Sequence, residues 1–129
     1  MRNSTIETSP NCDSRPVDEI VSLIVIHAIS LPPERFGGPG VRQLFLNCLD
    51  PSEDPFYAEI QHLRVSAHYF IRRTGELVRF VPPEARAWHA GVSSWRGRER
   101  CNDFSIGIEL EGCDTLPFEP VQYRVLADL

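Results

Sequence analysis

Two glutamates and one histidine stand where their side chains could do chemistry. Glu109 and Glu111 alternate with apolar residues in residues 104–111, so both point to the same face of a predicted strand. Two carboxylates on an open face could work as general acid and base, and an ordinary solvated face gives the same pattern. His27 closes an apolar stretch beside a loop rich in proline and glycine, where site residues are common. A lone histidine there is more often a packed core side chain.

The other histidines have weaker contexts. His68 lies in a predicted strand, and His89 lies in the loop segment AWHAG beside Trp88 and Ala90. A Trp-His pair between small residues could line a ligand groove, or it could be a packed surface turn. His62 has no such context, and we expect it to be an exposed bystander.

Motif spacing does not identify the chemistry. The sequence contains no His-x-x-x-His, His-Glu-x-x-His or Gly-x-Ser-x-Gly motif. A catalytic zinc ion needs three protein ligands, and spacing predicts no such set here. The residues alone therefore indicate a polar groove near the end of a central strand, with His27 and Glu109 as candidates.

The elements that must position these residues can be predicted from periodicity. Residues 23–26 are apolar on both faces and mostly β-branched, which is typical of a central strand covered on both sides. Residues 31–40 form a loop, and the apolar spacing of residues 41–48 predicts an amphipathic helix. Residues 65–71 and 77–81 flank Gly75 and predict a β-hairpin. A helix is expected to begin at Pro120.

This mixture of strands and helices predicts an α/β (α+β) domain with a mixed sheet. Residues 1–18 are polar and are expected to be a flexible arm or an irregular lead-in, so that residues 19–129 form the domain. A length of 129 residues suits one domain, and 42% hydrophobic residues suffice for a core.

Charge and composition exclude several partners. A net charge of −5 makes nucleic acid a poor partner, and no apolar stretch is long enough to span a membrane. The N-terminus lacks the apolar region of a secretory signal. The four cysteines include no Cys-x-x-Cys pair, so we expect reduced thiols in a cytoplasmic protein.

Four stretches together resemble one family. They are IVIHAISLPPERFGGPG, HLRVSAHYFIRRTGELVRFVP, RAWHAGVSSWRGRERCNDFSIGIELEGCD and LPFEPVQYRVL, in this order along residues 24–126. They resemble the N-acetylmuramoyl-L-alanine amidase family, which includes peptidoglycan recognition proteins and phage amidase lysozymes. The similarity is strongest to its cytoplasmic members that act on 1,6-anhydro-muropeptides, and it covers roughly residues 18–129.

The resemblance implies a mixed central sheet flanked by helices, with one zinc ion in a groove. It implies that His27 is a zinc ligand and that Glu109 is the catalytic acid/base, whereas Glu111 is structural. Zinc would polarise the scissile carbonyl and lower the pKa of bound water. The bond cut would join (1,6-anhydro-)N-acetylmuramic acid to L-alanine in peptidoglycan recycling, and we expect a monomer.

The resemblance also implies a set of substrate contacts. Arg64 matches a position that helps to hold the acidic stem peptide, which a bidentate arginine suits. Trp88, His89 and Ala90 match positions in the groove wall. His68 matches a position close to the site, and we assign it to substrate binding.

Two departures from the family pattern bear on activity. Ala28 follows the zinc histidine where the family has asparagine. The family's other two zinc ligands, a histidine and an aspartate, come from a C-terminal segment that would lie beyond Leu129. We therefore expect that the domain is incomplete at its C-terminus and that the 129-residue chain is inactive. The alternative is a shortened module that binds muropeptide without cutting it.

Overall fold

A five-stranded mixed sheet forms the framework. The computed structural model describes residues 4–129. Its strands are β1 (Ser4–Ile6), β2 (Cys12–Ser14), β3 (Leu23–Ile29), β4 (Tyr69–Ile71), β5 (Leu77–Arg79), β6 (Ala85–Ala87), β7 (Ser94–Trp95), β8 (Arg98–Glu99) and β9 (Ser105–Glu111). The large sheet has the order β1-β5-β4-β9-β3. β2 pairs with β6 and β7 pairs with β8 in two small ribbons.

The pairing directions place β9 between two parallel neighbours. β9 runs parallel to β3 on one side and to β4 on the other. β4 and β5 form the predicted antiparallel hairpin, with Gly75 at φ 90° in its turn. β1 adds to β5 in parallel. The predicted α/β class with a mixed sheet is confirmed.

Three α-helices of residues 4–129 cover the sheet, and two of them, α1 and α3, lie in segments where the sequence predicted helices. The helices are α1 (Gly40–Phe45), α2 (Pro55–Ile60) and α3 (Pro120–Asp128). α1 and α2 pack in a core that includes Phe45, Phe70 and Phe80. On the other face, Leu126 of α3 packs against a second core that includes Leu110. Asp54 caps α2 through the backbone N–H of Phe56, so the helix begins where the sequence supplies an acceptor.

The prediction of an irregular N-terminal arm is wrong for the described part of residues 1–18. Residues 4–6 and 12–14 form strands β1 and β2, and Ser9 and Asn11 between them are buried. The hydroxyl of Ser9 donates to the carbonyl of Phe45 at 2.6 Å, and Nδ2 of Asn11 donates to the carbonyl of Val65 at 2.8 Å. The polar composition suggested an arm because these partners lie far away in sequence.

The predicted strand at residues 23–26 exists, but its predicted central position is wrong for the residues described. β3 lies at the edge of the sheet in this part of the chain. Ile24 and Ile26 are 62% and 49% exposed. Their type fits a covered strand, and only one face of β3 is packed over its length.

Two further predictions concern the cysteine thiols and membrane-spanning segments. All four cysteines are free thiols in the structure, as expected. No described helix has the length and apolar character needed to cross a membrane.

Candidate functional site

His27 and Glu109 lie side by side on one face of the sheet. β3 and β9 are parallel, and their register pairs His27 with Glu109. Residues paired in this way direct their side chains to the same face. The pair lies near the carboxyl ends of two parallel strands, which is where open α/β sheets bind ligands.

The Glu109 carboxyl is buried without a partner. Glu109 is 8% exposed, and its Oε1 atom has no hydrogen bond within the described residues. Burial raises the pKa of Glu109 from 4.5 to about 7, because the carboxylate loses its water. This carboxyl can therefore exchange a proton near neutral pH, as a general acid/base must.

His89 connects His27 to the strand that carries Glu109. Nδ1 of His89 lies 3.0 Å from Nε2 of His27, and Nε2 of His89 lies 3.0 Å from the hydroxyl of Ser105. The His89 ring lies over Gly107, where a Cβ atom would come within 2.3 Å of its Cγ. Burial, followed by the nearby His27, lowers the pKa of His89 to about 3, so this ring is neutral.

The loop that carries His89 is fixed through its backbone. Oδ1 of Asn102 accepts hydrogen bonds from the backbone N–H groups of His89 and Ala90, at 3.2 and 2.9 Å. The hydroxyl of Ser66 accepts one from the N–H of Trp88 at 3.1 Å. Side chains from two other segments thus hold residues 88–90 beside β3.

The assignment of His68 to substrate binding is wrong. Its side chain is completely buried, so no substrate can reach it. Nδ1 accepts a hydrogen bond from the N–H of Gly107 at 3.0 Å, which leaves the proton on Nε2 for the carbonyl of Ala85 at 2.9 Å. His68 instead supports the backbone of β9 beneath His89.

The other residues predicted to contact substrate are Ala90, Trp88 and Arg64. A groove of about 470 Å³ runs along β3 and is lined by His27, Ala90 and neighbouring residues of β3 and β7. Nε1 of Trp88 is buried and has no partner in residues 4–129. Arg64 is exposed, and its guanidinium donates to the carbonyls of Gln61 and Leu63, both at 3.2 Å.

Glu111 has the structural role that was predicted for it. It is 3% exposed, and its carboxylate accepts hydrogen bonds from the backbone N–H groups of Gly37 and Arg73, at 2.8 and 3.0 Å. Arg72 adds an ion pair at 3.4 Å. Glu111 therefore fastens the loop after β3 to the turn between β4 and β5.

A zinc ion would find only part of a site here. His27 offers an imidazole beside the unpartnered oxygen of Glu109, which suits one ligand and an adjacent base. In residues 4–129, however, no three His, Cys, Asp or Glu side chains come close enough together to hold a metal. Because catalytic zinc needs three protein ligands, the described residues supply one ligand and not a complete set.

Comparison with protein-family models shows which family this chain belongs to. The family model described as N-acetylmuramoyl-L-alanine amidase matches residues 16–129. The chain belongs to the N-acetylmuramoyl-L-alanine amidase family. Membership agrees with the fold and with the four sequence stretches that suggested it.

Similar proteins bear related names. The 1,6-anhydro-N-acetylmuramyl-L-alanine amidase AmpD of Salmonella typhimurium (strain SL1344) is 63% identical over 119 residues, which cover 92% of this chain. The match covers only 64% of the length of that AmpD. A crystal structure of a selenomethionine derivative of AmpD superposes with a TM-score of 0.95 and 58% identity, covering 99% of this chain and 72% of the other.

A more distant relative was solved with a ligand. It is the amidase AmiD from E. coli in complex with the substrate anhydro-N-acetylmuramic acid-L-Ala-D-gamma-Glu-L-Lys. AmiD superposes on this chain with a TM-score of 0.54 at 28% identity. The match covers 88% of this chain and 44% of AmiD. The shared fold therefore extends to an enzyme that acts on muropeptides.

Three residues around the site were not identified from the sequence. They are Ser105 and Asn102, which contact His89, and Arg15, whose guanidinium donates to the carbonyls of Pro83 and Ser105 at 2.9 and 3.0 Å. Each acts through partners distant in sequence, so no local pattern marks it. The only sequence signal was that Ser105 and Asn102 lie inside the long family stretch around Glu109.

Proposed function

We propose that this protein hydrolyses the amide bond between N-acetylmuramic acid, in its 1,6-anhydro form, and the L-alanine of muropeptides. Family membership and the names of the relatives support the reaction class. The observation that carries the proposal is the buried, unpartnered carboxyl of Glu109 beside His27. The resemblance assigns this activity to peptidoglycan recycling in the cytoplasm.

Glu109 is the acid/base in this proposal. A carboxyl with a pKa of about 7 is partly ionised at neutral pH. It can accept the proton of an attacking water and then deliver it to the α-amine of L-alanine, which leaves as the amide C–N bond breaks. Burial supplies the basicity, and the absence of an internal partner for Oε1 leaves that oxygen available to water and substrate.

His27 is the proposed zinc ligand within residues 4–129. A bound zinc ion would polarise the scissile carbonyl and acidify a water molecule. The remaining ligands would come from outside residues 4–129, as the resemblance implies. Ala28 offers no side-chain amide near His27, so orientation of the ring depends on other contacts.

Substrate contacts are proposed at the groove and at one arginine. His89 contacts His27, and Ala90 lines the same groove as His27. We expect these two residues and the neighbouring Trp88 to contact the muropeptide. Arg64 is exposed and has no acidic partner among the described residues, so its guanidinium is available for a carboxylate of the stem peptide.

Turnover of a 1,6-anhydro-muramyl tripeptide, followed by mass spectrometry, tests the proposal. AmpD of Salmonella typhimurium is the positive control, and zinc content is measured by plasma mass spectrometry on the same samples. In a chain that includes the segment carrying the remaining zinc ligands, we expect Glu109→Gln to lower turnover by about 10²-fold or more, because an acid/base group contributes roughly 10² to 10⁴ in rate. Its zinc content should equal that of the unmutated chain.

Two results would contradict the proposal. Turnover that survives in Glu109→Gln would remove Glu109 from the acid/base role. If a chain that includes the segment carrying the remaining zinc ligands binds the tripeptide in calorimetry but releases no L-alanine peptide, the protein is instead a muropeptide-binding module, the alternative that the sequence left open.

A further inference from the structure

We propose that His68 is a positioning residue for Glu109, and that Arg15 holds the His68 ring in the one protonation state in which it can take this role. This inference rests on the proposed function, in which Glu109 is the acid/base, and adds to it the groups that fix the strand beneath. Its support is the series of contacts from Arg15 through His68 to the backbone of Gly107.

His68 binds both backbone polar groups of Gly107. Its N–H donates to the carbonyl of Gly107 at 3.0 Å, and Nδ1 of its ring accepts a hydrogen bond from the Gly107 N–H at 3.0 Å. β4 begins at Tyr69, which pairs with Ile108, so no residue of β4 lies opposite Gly107. The His68 ring therefore supplies the acceptor that a strand neighbour would otherwise supply, at a buried position where an unpaired N–H is costly.

These two bonds lie close to the Glu109 carboxyl along β9. Residues two apart on a strand direct their side chains to the same face, so the backbone at Gly107 and Glu109 carries neighbouring parts of the site. The His89 ring lies on Gly107, and Oε1 of Glu109 has no partner among the described residues. Because no hydrogen bond holds that oxygen, its position depends on how firmly β9 is held.

Only one state of the His68 ring satisfies its contacts. Nδ1 accepts a hydrogen bond from Gly107 and must carry no proton, so the proton lies on Nε2, which donates to the carbonyl of Ala85 at 2.9 Å. An imidazolium has hydrogens on both nitrogens and would leave the Gly107 N–H without an acceptor. Protonation of His68 would thus release β9 at Gly107.

The Arg15 guanidinium opposes that protonation. Its Nη2 atom lies 3.3 Å from Nε2 of His68, and its four Nη hydrogens are used by other acceptors. The acceptors are backbone carbonyls, those of Pro83 and Ser105 at 2.9 and 3.0 Å from Nη2 and those of Asn102 and Asp103 at 3.1 and 3.2 Å from Nη1. Arg15 therefore presents a fixed positive charge to His68, and a like charge so close disfavours an imidazolium.

The other charged or titratable groups on the elements around His68 are Arg86, His89, Asp103 and Glu109. The His89 ring, with its centroid 6.1 Å from that of His68, is neutral, and the Asp103 carboxylate pairs with Arg86 at 2.7 Å. Burial lowers the pKa of His68 most, while the bond to Ala85 raises it and the Arg15 charge lowers it further. His68 is thus neutral near pH 7, where Glu109 exchanges its proton.

Nuclear magnetic resonance of the ¹⁵N-labelled 129-residue chain tests the ring state without any measurement of activity. We expect a neutral His68 ring at neutral pH, with its proton on Nε2. Arg15→Met removes the charge and keeps an unbranched stem, so His68 should take up a proton at a higher pH than in the unmutated chain, and the Gly107 amide shift should follow. Arg15→Lys loses the same hydrogen bonds but keeps the charge, so the His68 titration should not move upward in this matched control.

Substitutions of His68 test the positioning role. His68→Asn keeps an acceptor close to the position of Nδ1, whereas His68→Leu is of similar size and has none. Amide exchange at Gly107 should be roughly tenfold faster in His68→Leu, because the loss of one hydrogen bond shifts an opening equilibrium by about this factor, and His68→Asn should restore slow exchange. In a chain that includes the segment carrying the remaining zinc ligands, His68→Leu should lower kcat for the 1,6-anhydro-muramyl tripeptide more than it changes KM, and His68→Asn should recover most of that loss.

Three results would overturn the inference. They are a proton on Nδ1 of His68 in the unmutated chain, a His68 titration that Arg15→Met and Arg15→Lys change alike, and equal kcat for His68→Leu and His68→Asn. If the ring and amide signals behave as expected but the extended chain releases no L-alanine peptide, the hold of Arg15 and His68 on β9 is supported and the proposed function is overturned.

Discussion

At the scale of single residues, Glu109 and Glu111 show how the same burial has different consequences. Both lie on one face of β9, and both are less than a tenth exposed. Glu111 receives backbone N–H groups and an arginine, so its charge is satisfied. Oε1 of Glu109 receives no hydrogen bond from the described residues. A buried carboxylate without donors is costly to the fold, and such costs concentrate at functional sites.

The raised pKa of Glu109 makes a prediction about stability in the metal-free chain. Because the folded pKa of about 7 lies above the ordinary 4.5, folding favours the protonated form. This stabilisation is fully present below pH 4.5 and is lost as pH rises through 7, at a cost of about 3 kcal/mol. Glu109→Gln should therefore match the unmutated chain at pH 4 and be the more stable at pH 8, in urea unfolding monitored by fluorescence.

Glu111→Gln is the matched control for that measurement. This substitution replaces a charged hydrogen-bond acceptor with a neutral one. We therefore expect the variant's free energy of unfolding to fall by about 1.5 to 3 kcal/mol at pH 8. Equal stability of Glu109→Gln and the unmutated chain at pH 8 would show that the Glu109 carboxylate is solvated, contrary to its burial.

Single residues were predictable where a local pattern or a family stretch marked them. His27 and Glu109 could be chosen in this way, and the strand register then placed them together. His68 was misassigned because a position in a motif does not report burial. Ser105 and Asn102 could not be identified, since each acts on His89 across the fold.

At the scale of elements, the missing side chain at Gly107 shapes the site. Its position in β9 lets the His89 ring lie directly on the strand. The His89 ring occupies the space over this glycine.

Gly107→Ala should therefore displace His89. The added methyl group would lie 2.3 Å from Cγ of the ring, and we expect a loss of about 1 to 3 kcal/mol in unfolding free energy, the usual cost of overpacking. Gly38→Ala is the control, because its added methyl group would meet nothing within 4 Å and the expected change is near zero. Equal thermal midpoints for the two variants would show that the ring moves aside freely.

Elements were predicted most accurately where chain-local chemistry determines them. The hairpin turn at Gly75 and the start of α3 after Glu119 follow from residues close in sequence, and both are present. The neighbours of β3 depend on distant strands, and the sequence placed this strand wrongly at the centre of the sheet. β1 and β2 were missed because their partners lie more than sixty residues away.

At the scale of the whole molecule, the exposed edge strand is the feature most open to self-association. β3 carries the exposed Ile24 and Ile26, and residues 23–26 contain none of the charges or prolines that protect natural edges. β1, at the opposite edge, has only three residues.

Ile26→Lys should reduce association of the 129-residue chain. A charge on an open edge strand disfavours strand-to-strand pairing, so we expect a smaller associated fraction in light scattering at high concentration. Ile6→Lys, which alters an exposed isoleucine of β1, should have less effect. An unmutated chain that stays monomeric at the same concentration would contradict this prediction.

The parallel pairing of β3 with β9 also bears on the order in which the molecule folds. Their paired residues are separated by about 80 positions, whereas the β4–β5 hairpin closes a short turn. Contacts between distant parts of a chain form late, since the loop between them must first lose its freedom. His27 and Glu109 meet only when this late step is complete. The proposed activity therefore requires this late pairing, and we expect a partly folded chain to lack it even after its hairpin has formed.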